Sequence, residues 1–202
     1  PYPLPTPVYL ARERYAWIEQ IDHRPCGSRE ELSQFCRAMG ALLCTSYLLD
    51  ATDLHDGNVI AAHVAPVIVD LETLLQPRLA EPQSTQPQDA LRKAAQLAER
   101  SILRTGLLPS LKLGADGQLA DVGCLGSLFA PYSTEWYAHD PAASPLSEAM
   151  GMDVARGALD PMVLADALAE GFAQTYRFLL DKRDALLAST GPLQAFKGRP
   201  VR

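Results

Sequence analysis

The sequence lacks the features that mark membrane, secreted and repeat proteins. No apolar run reaches the roughly 20 residues that a membrane-spanning helix needs. The N-terminus, in which four of the first seven residues are proline, has neither the charged region nor the apolar region of a secretory signal. The chain also has no internal repeats. We therefore expect no stable membrane insertion and a cytoplasmic location.

Basic residues and paired cysteines are scarce as well. Lys and Arg number 18 against 24 Asp and Glu, so the net charge is −6, which argues against nucleic acid as a partner. The four cysteines, at positions 26, 36, 44 and 124, form no CxxC pair, so a structural zinc site is not expected. Cys36 and Cys44 fall in a predicted helix and are interpreted as small buried hydrophobic residues.

The chain nevertheless has the composition of a packed domain. Apolar residues make up 48% of its 202 residues, which suits one domain or one lobe of a larger one. Ser28 and Glu31 form a capping box, and the apolar residues behind them recur at helical spacing. This pattern predicts a helix from about residue 29 to residue 49, preceded by short strands near residues 8–10 and 15–18.

Further elements alternate along the rest of the chain. Strands are predicted at 59–62 and 67–71 around a turn at 63–66, helices at 89–103 and 160–187, and a small hairpin at 110–113 and 117–122. The segments 76–88 and 123–158 are predicted to be irregular. The fold class is therefore α+β, mainly helical with short β-hairpins. Trp17 and Trp136 are interpreted as packing residues, and Arg104 as a charge at a helix C-terminus.

Five polar residues cluster around the predicted 59–71 hairpin: Asp53, His55, Asn58, Asp70 and Glu72. An enzyme that phosphorylates a hydroxyl needs a carboxylate that orients the hydroxyl and accepts its proton. It also needs hard oxygen ligands, such as Asn and Asp, for the magnesium that bridges the nucleotide phosphates. In kinases the base and the Asn lie on one loop after a helix, and the second metal ligand follows the next strand pair. The order Asp53, Asn58, Asp70 follows this arrangement.

Other interpretations of these residues remain open. The loop could be a polar turn, with Asp53 as a cap and Asn58 in the left-handed conformation. That interpretation does not explain why Asp70 and Glu72 end so apolar a strand. His55 is as readily a structural residue of the loop as a proton-transfer residue.

The motif and its surroundings resemble one family in particular. The run from Asp53 to Leu75 (DLHDGNVIAAHVAPVIVDLETLL) closely resembles the dehydratase domain of class II lanthipeptide synthetases, the LanM type. Other stretches agree in the same order: YAWIE at 15–19, FCRAMG at 35–40, SILRTGLLP at 101–109 and FKGRPVR at 196–202. Aminoglycoside and choline kinases share only the Asp-x-His-x-x-Asn…Asp core.

The resemblance implies a fold, an activity and partners. Residues 28–202 would form the C-lobe of a kinase-like domain similar to lipid kinases, and residues 1–27 the end of its N-lobe with the hinge strands. The family uses ATP and Mg²⁺ to phosphorylate Ser and Thr in a ribosomally made precursor peptide that carries a leader. It then eliminates phosphate to leave dehydroalanine or dehydrobutyrine. A zinc-dependent cyclase domain usually follows the dehydratase.

The resemblance also implies roles for individual residues. Asp53 would be the phosphorylation base and His55 its partner on the loop. Asn58 and Asp70 would hold the magnesium and its nucleotide, supported by Glu72. Arg202 resembles an arginine that grips the phosphate during elimination, although from the residue alone it is a frayed terminal position.

The departures from the family concern what this sequence does not contain. No Gly-rich phosphate loop occurs in the first 50 residues, and the lysine-bearing N-lobe and the cyclase are absent. We therefore expect an internal fragment of a longer enzyme, inactive by itself. The alternatives are a small-molecule kinase of the aminoglycoside or choline type, and a noncatalytic peptide-binding module.

Overall fold

The computed structural model describes residues 2–75, 90–113, 119–121, 123–125 and 161–198. Three short antiparallel hairpins and two long helices dominate this part of the chain, so the α+β class is confirmed. The strands are β1 (Tyr9–Ala11), β2 (Ala16–Ile18), β3 (Val59–Ala62), β4 (Ala65–Ile68), β5 (Leu111–Leu113) and β6 (Leu119–Asp121). The helices are α1 (Arg29–Leu48), α2 (Ala90–Glu99), α3 (Pro161–Asp181) and α4 (Arg183–Leu187), with 3₁₀ helices at Asp56–Asn58, Ile102–Thr105 and Pro192–Phe196.

Helix α1 begins at the predicted capping box. The Ser28 hydroxyl accepts the Glu31 N–H at 3.2 Å, and the Glu31 carboxylate accepts the Gly27 N–H at 2.6 Å. The bond from Gly27 holds the pKa of Glu31 below its ordinary range, and His63, 3.3 Å away, contributes in the same direction. Because both signals lie within four residues of one another, the sequence located this helix correctly.

The buried side of α1 forms the centre of the core. Leu32, Phe35, Met39 and Leu43 are almost wholly buried there. All four cysteines are buried, and burial raises the pKa of Cys36 to about 12 and that of Cys44 to about 11. The interpretation of Cys36 and Cys44 as small hydrophobic residues is confirmed.

Helices α1 and α3 approach each other closely because glycine stands at both contact points. A side chain at Gly40 would overlap the backbone carbonyl of Leu168, and one at Gly171 would overlap the carbonyl of Arg37. Next to this contact the Arg37 guanidinium pairs with the Glu170 carboxylate at 2.7 Å. The two glycines therefore set the distance between the helices.

Hairpin β3–β4 differs from its prediction at both ends of its second strand, which runs from Ala65 to Ile68 instead of from residue 67 to residue 71. Strand β4 begins at Ala65, so Pro66 lies inside the strand and pairs with Ala61 instead of forming the turn. The Ala61 carbonyl accepts the Arg24 N–H at 2.9 Å, on the side away from β4. The residue opposite Ala61 therefore needs no N–H for the ladder, and a proline is tolerated there.

Other predicted elements are confirmed with shifted ends. Helix α2 stops at Glu99 because the Ser101 hydroxyl accepts the Leu103 N–H and begins a 3₁₀ turn. The predicted 160–187 helix is divided at Lys182 into α3 and α4.

Trp17 is 67% exposed, so its prediction as a packing residue is wrong. Trp136, the 76–88 segment and nearly all of 123–158 lie outside the described residues. Within the described ranges, no helix combines the length and apolarity needed to cross a bilayer.

The contact between α1 and α3 gives a first prediction. Gly40→Ala should lower the free energy of unfolding by about 3 kcal/mol, because the added methyl group meets a backbone carbonyl that cannot move aside. Thermal unfolding by circular dichroism measures the change. The matched control is Gly27→Ala, whose methyl group would lie 3.4 Å from the Glu31 carboxylate, an ordinary contact. An unchanged or higher melting temperature for Gly40→Ala would refute the close contact, since alanine is otherwise the better helix former.

Candidate functional site

The polar motif lies at the open end of hairpin β3–β4. The last pair of the ladder is Val59 with Ile68, and one further hydrogen bond runs from the Val69 N–H to the Asn58 carbonyl at 3.0 Å. Asn58 and Asp70 therefore leave the same end of the hairpin on neighbouring strands. The structure thus brings these two predicted magnesium ligands to the same end of the hairpin, although they are twelve residues apart in sequence.

Asp53 is held in the left-handed conformation, with φ of 63°. Its own carbonyl accepts the Asn58 side-chain N–H at 2.9 Å. On one side the Thr52 carbonyl accepts the Thr73 hydroxyl, and on the other the Leu54 N–H donates to the Thr105 carbonyl at 2.9 Å. The backbone around Asp53 is therefore fixed by three separate bonds while its side chain faces solvent.

These contacts bear on the alternative interpretation of the loop as a simple turn. That interpretation placed Asn58 in the left-handed conformation, whereas Asp53 adopts it and Asn58 is the last residue of a 3₁₀ helix. Because the Asn58 amide nitrogen is committed to Asp53, the amide oxygen is the atom of that side chain that would bind a cation.

His55 caps the 3₁₀ helix that carries Asn58. Its Nδ1 accepts the Gly57 N–H at 3.0 Å, and the side chain is half-buried. An accepting Nδ1 places the ring proton of the neutral imidazole on Nε2. This geometry gives His55 a structural role in the loop, and a role in proton transfer stays a prediction.

Asp70 and Glu72 form a second short turn beyond the hairpin. The Asp70 carboxylate accepts the Glu72 N–H at 3.3 Å, and both side chains are exposed. The Asn58 amide and these two carboxylates are hard oxygen donors of the kind that magnesium prefers, so their chemistry fits this ion. No three His, Cys, Asp or Glu side chains converge as a metal site among the described residues. Magnesium commonly binds through one or two protein groups plus nucleotide phosphates, so such a convergence is not required.

Arg202 lies outside the described residues, so its predicted role in elimination stays a prediction. The roles of the other site residues also stay predictions. What the geometry adds is that hydrogen bonds join Asp53 to Asn58, and Asn58 to Val69, the residue before Asp70, at the end of β3–β4.

Sequence analysis missed the residues that support this loop from behind. Arg104 lies in the 3₁₀ helix after α2, and its side chain is only 9% exposed. Its guanidinium pairs with the Asp50 carboxylate and also donates to the Asp50 carbonyl at 2.7 Å. Arg104 does lie in the last turn of a helix, as predicted, but the sequence did not indicate that its buried guanidinium binds Asp50. No local pattern connects residues 54 positions apart, and the only signal was the family motif that contains Arg104.

Comparison with known proteins gives the family. The sequence matches the family described as "Domain of unknown function (DUF4135)" over residues 1–202. It is also 32% identical over 122 residues to the "Lacticin 481/lactococcin biosynthesis protein LcnDR2" of Lactococcus lactis subsp. lactis. That alignment covers 60% of this chain and 13% of the relative, so the chain matches only a small part of the relative's length. The chain belongs to the DUF4135 family, the domain found in LanM-type lanthipeptide synthetases.

Proposed function

We propose that this chain carries the phosphoryl-transfer centre of a lanthipeptide dehydratase. The enzyme would use ATP to phosphorylate Ser and Thr in a precursor peptide and would then eliminate the phosphate. The observation that carries the proposal is the network that joins Asp53, Asn58 and the strand leading to Asp70. The relative named for lacticin 481 and lactococcin biosynthesis supports the choice of a lanthipeptide substrate.

Asp53 performs the proton transfer in this proposal. Its exposed carboxylate accepts a hydrogen bond from the Ser or Thr hydroxyl of the peptide and takes the proton as the hydroxyl oxygen attacks the γ-phosphorus. The new O–P bond forms as the bond between the γ-phosphorus and the leaving ADP oxygen breaks. Because the backbone on both sides of Asp53 is fixed, the base needs little reorganisation during the reaction.

Asn58 and Asp70 would hold magnesium at the end of the hairpin, and Glu72 would support them. When bound, the ion supplies charge neutralisation for the transferring phosphoryl group. The Asn58 side chain also contacts the Asp53 carbonyl, so the same residue joins the base to the cation site. His55 keeps the intervening turn closed through Gly57.

Elimination is the second step of the proposal. Removal of the Cα proton of the phosphorylated residue forms the C=C bond as the Cβ–O bond breaks and phosphate departs. Arg202 would pair with that phosphate, for which a guanidinium offers two parallel donors.

The proposed architecture is that of a kinase-like domain. Residues 28–202 would be the C-lobe that carries the catalytic loop, and residues 1–27 would belong to the N-lobe and hinge. The full-length relative is much longer than the matched segment. We accordingly propose that the active protein includes a lysine-bearing nucleotide lobe and a cyclase domain, and that it recognises the leader of its precursor peptide.

Loss of the base is the most direct test of the proposed role of Asp53. Asp53→Asn in the full-length protein should lower dehydration of a precursor peptide at least 100-fold, because a positioned general base contributes a factor of about 10²–10⁴. Mass spectrometry detects the loss of one water per modified Ser or Thr. Asp166→Asn is the control, because Asp166 is an exposed carboxylate on α3 outside the loop. Undiminished dehydration by Asp53→Asn would refute the assignment. A wild-type protein that gives a phosphorylated product and no elimination would favour the small-molecule kinase.

The cation site gives a separate prediction. Asp70→Asn should raise the magnesium concentration needed for half-maximal nucleotide binding by about tenfold, because a neutral amide is a weaker ligand than a carboxylate for this hard ion. Calorimetric titration of the full-length protein with ATP at a series of magnesium concentrations measures it, with Asp166→Asn as control. Nucleotide binding by the wild type that is independent of magnesium would contradict the proposed site.

A further inference from the structure

Helix α1 is followed by two residues in the left-handed conformation, one before the catalytic loop and one at its start. Asp50 has φ of 55° and Asp53 has φ of 63°, both in the left-handed region that non-glycine residues seldom occupy. Such residues persist only where surrounding contacts hold them in place. The direction in which the Asp53 carboxylate points therefore depends on whatever holds Asp50 and its neighbours.

Arg104 binds both the side chain and the backbone carbonyl of Asp50. One terminal nitrogen of the guanidinium pairs with the Asp50 carboxylate, and the other donates to the Asp50 carbonyl at 2.7 Å. The guanidinium is planar, so the two contacts fix the Asp50 side chain and its peptide group relative to each other. A lysine could not make both contacts in this geometry, because its ammonium is a single point of charge.

Arg104 directs both terminal nitrogens of its guanidinium at Asp50 and leaves its third donor, Nε, without a partner among the described residues. Arg104 Nε is buried and has no hydrogen-bond partner among the described residues. A buried donor without a partner is a loss for stability, so maximal hydrogen bonding does not explain this placement. Burial also keeps the guanidinium away from peptide or nucleotide, so Arg104 does not act on substrate itself.

The two residues after Arg104 hold the far side of the same segment. The Thr105 carbonyl accepts the Leu54 N–H at 2.9 Å, directly after Asp53. Gly106, with φ of 82°, allows this approach, because a side chain there would lie 3.0 Å from the Leu54 nitrogen. The Ile102–Thr105 helix therefore contacts the loop at two residues, Asp50 and Leu54, which lie on either side of Asp53 in the sequence.

We propose that Arg104 is a positioning residue for phosphoryl transfer, which holds the left-handed Asp50 and thereby sets the direction of the Asp53 carboxylate. The inference rests on the proposed function of Asp53. It assigns to the Arg-Thr-Gly segment at 104–106 the task of fixing the general base, while the nucleotide and its cation are bound elsewhere at the hairpin end.

The test separates turnover from binding in the full-length protein. Arg104→Lys should lower kcat for peptide phosphorylation about 10- to 100-fold and leave KM for ATP within about twofold, because a small misplacement of a reacting group slows the chemical step. Arg100→Lys is the matched control, since Arg100 is an exposed residue four positions earlier. Wild-type kcat for Arg104→Lys, or a change confined to KM, would overturn the proposal.

A double-mutant cycle tests whether Arg104 acts through Asp50. Asp50→Asn keeps a residue that tolerates the left-handed conformation and removes only the charge. The double variant should lose no more kcat than the worse single variant, because the two side chains serve one contact. Multiplied losses would contradict the proposal. If Arg104→Lys does not fold, Asp50→Asn is judged alone by the same division between kcat and KM.

Hydrogen exchange gives a readout that does not depend on activity. The Leu54 amide should exchange faster in Arg104→Lys and at the wild-type rate in Arg100→Lys; equal rates in all three proteins would contradict the proposal.

Asp53→Asn is included to separate the positioning role of Arg104 from the proposed function of Asp53. If Asp53→Asn keeps activity, the proposed function fails, and the exchange result alone then decides whether Arg104 holds the loop in place. If it loses activity while Arg104→Lys keeps wild-type kcat, only the positioning role fails.

Discussion

The candidate site depends on how the chain leaves helix α1. The helix is fixed at its start by the Ser28 and Glu31 cap and along its length by the glycine contact with α3. The end of the helix therefore places Asp50 where the buried Arg104 guanidinium pairs with its carboxylate. From that point the loop to Asn58 is held by hydrogen bonds, and the β3–β4 hairpin returns the chain so that Asp70 follows at the same end of the hairpin as Asn58. The polar residues of the site are thus placed by a packed helix and by the hydrogen bonds that follow it.

Along this segment the apolar residues are buried beneath the loop and the carboxylates proposed to take part in the reaction are exposed. Leu54, Val59 and Val67 are buried, whereas the Asp53 and Asp70 carboxylates reach solvent at one end of the hairpin. A peptide and a nucleotide must both approach a phosphoryl-transfer centre from outside, so exposed carboxylates on a rigid base suit this chemistry. The family match and the relative named for lacticin 481 and lactococcin biosynthesis support the substrate class that we propose, and the loop geometry supports the proposed reaction type.

Local signals predicted the parts of this arrangement that local physics determines. The α1 helix followed from its capping box and apolar spacing, and β3 from a short β-branched run before a turn. The start of β4 was missed because Pro66 is tolerated in the strand only when its pair with Ala61 exchanges no backbone hydrogen bonds, and that register cannot be seen in the sequence. The Arg104–Asp50 pair was missed because it joins residues 54 positions apart. The types and order of the site residues could be predicted from sequence, but the network that orients them could not.

We propose that this loop transfers a phosphoryl group to a peptide hydroxyl before phosphate is eliminated. The most direct measurement is the intact mass of a precursor peptide after incubation with ATP, magnesium and a full-length Arg202→Ala variant, in which elimination should be slowed. We expect phosphorylated peptide to accumulate, with the added phosphoryl groups on Ser and Thr, and we expect Asp53→Asn, added to the variant, to abolish this product. An unmodified peptide, or a dehydrated peptide that forms without ATP, would contradict the proposal.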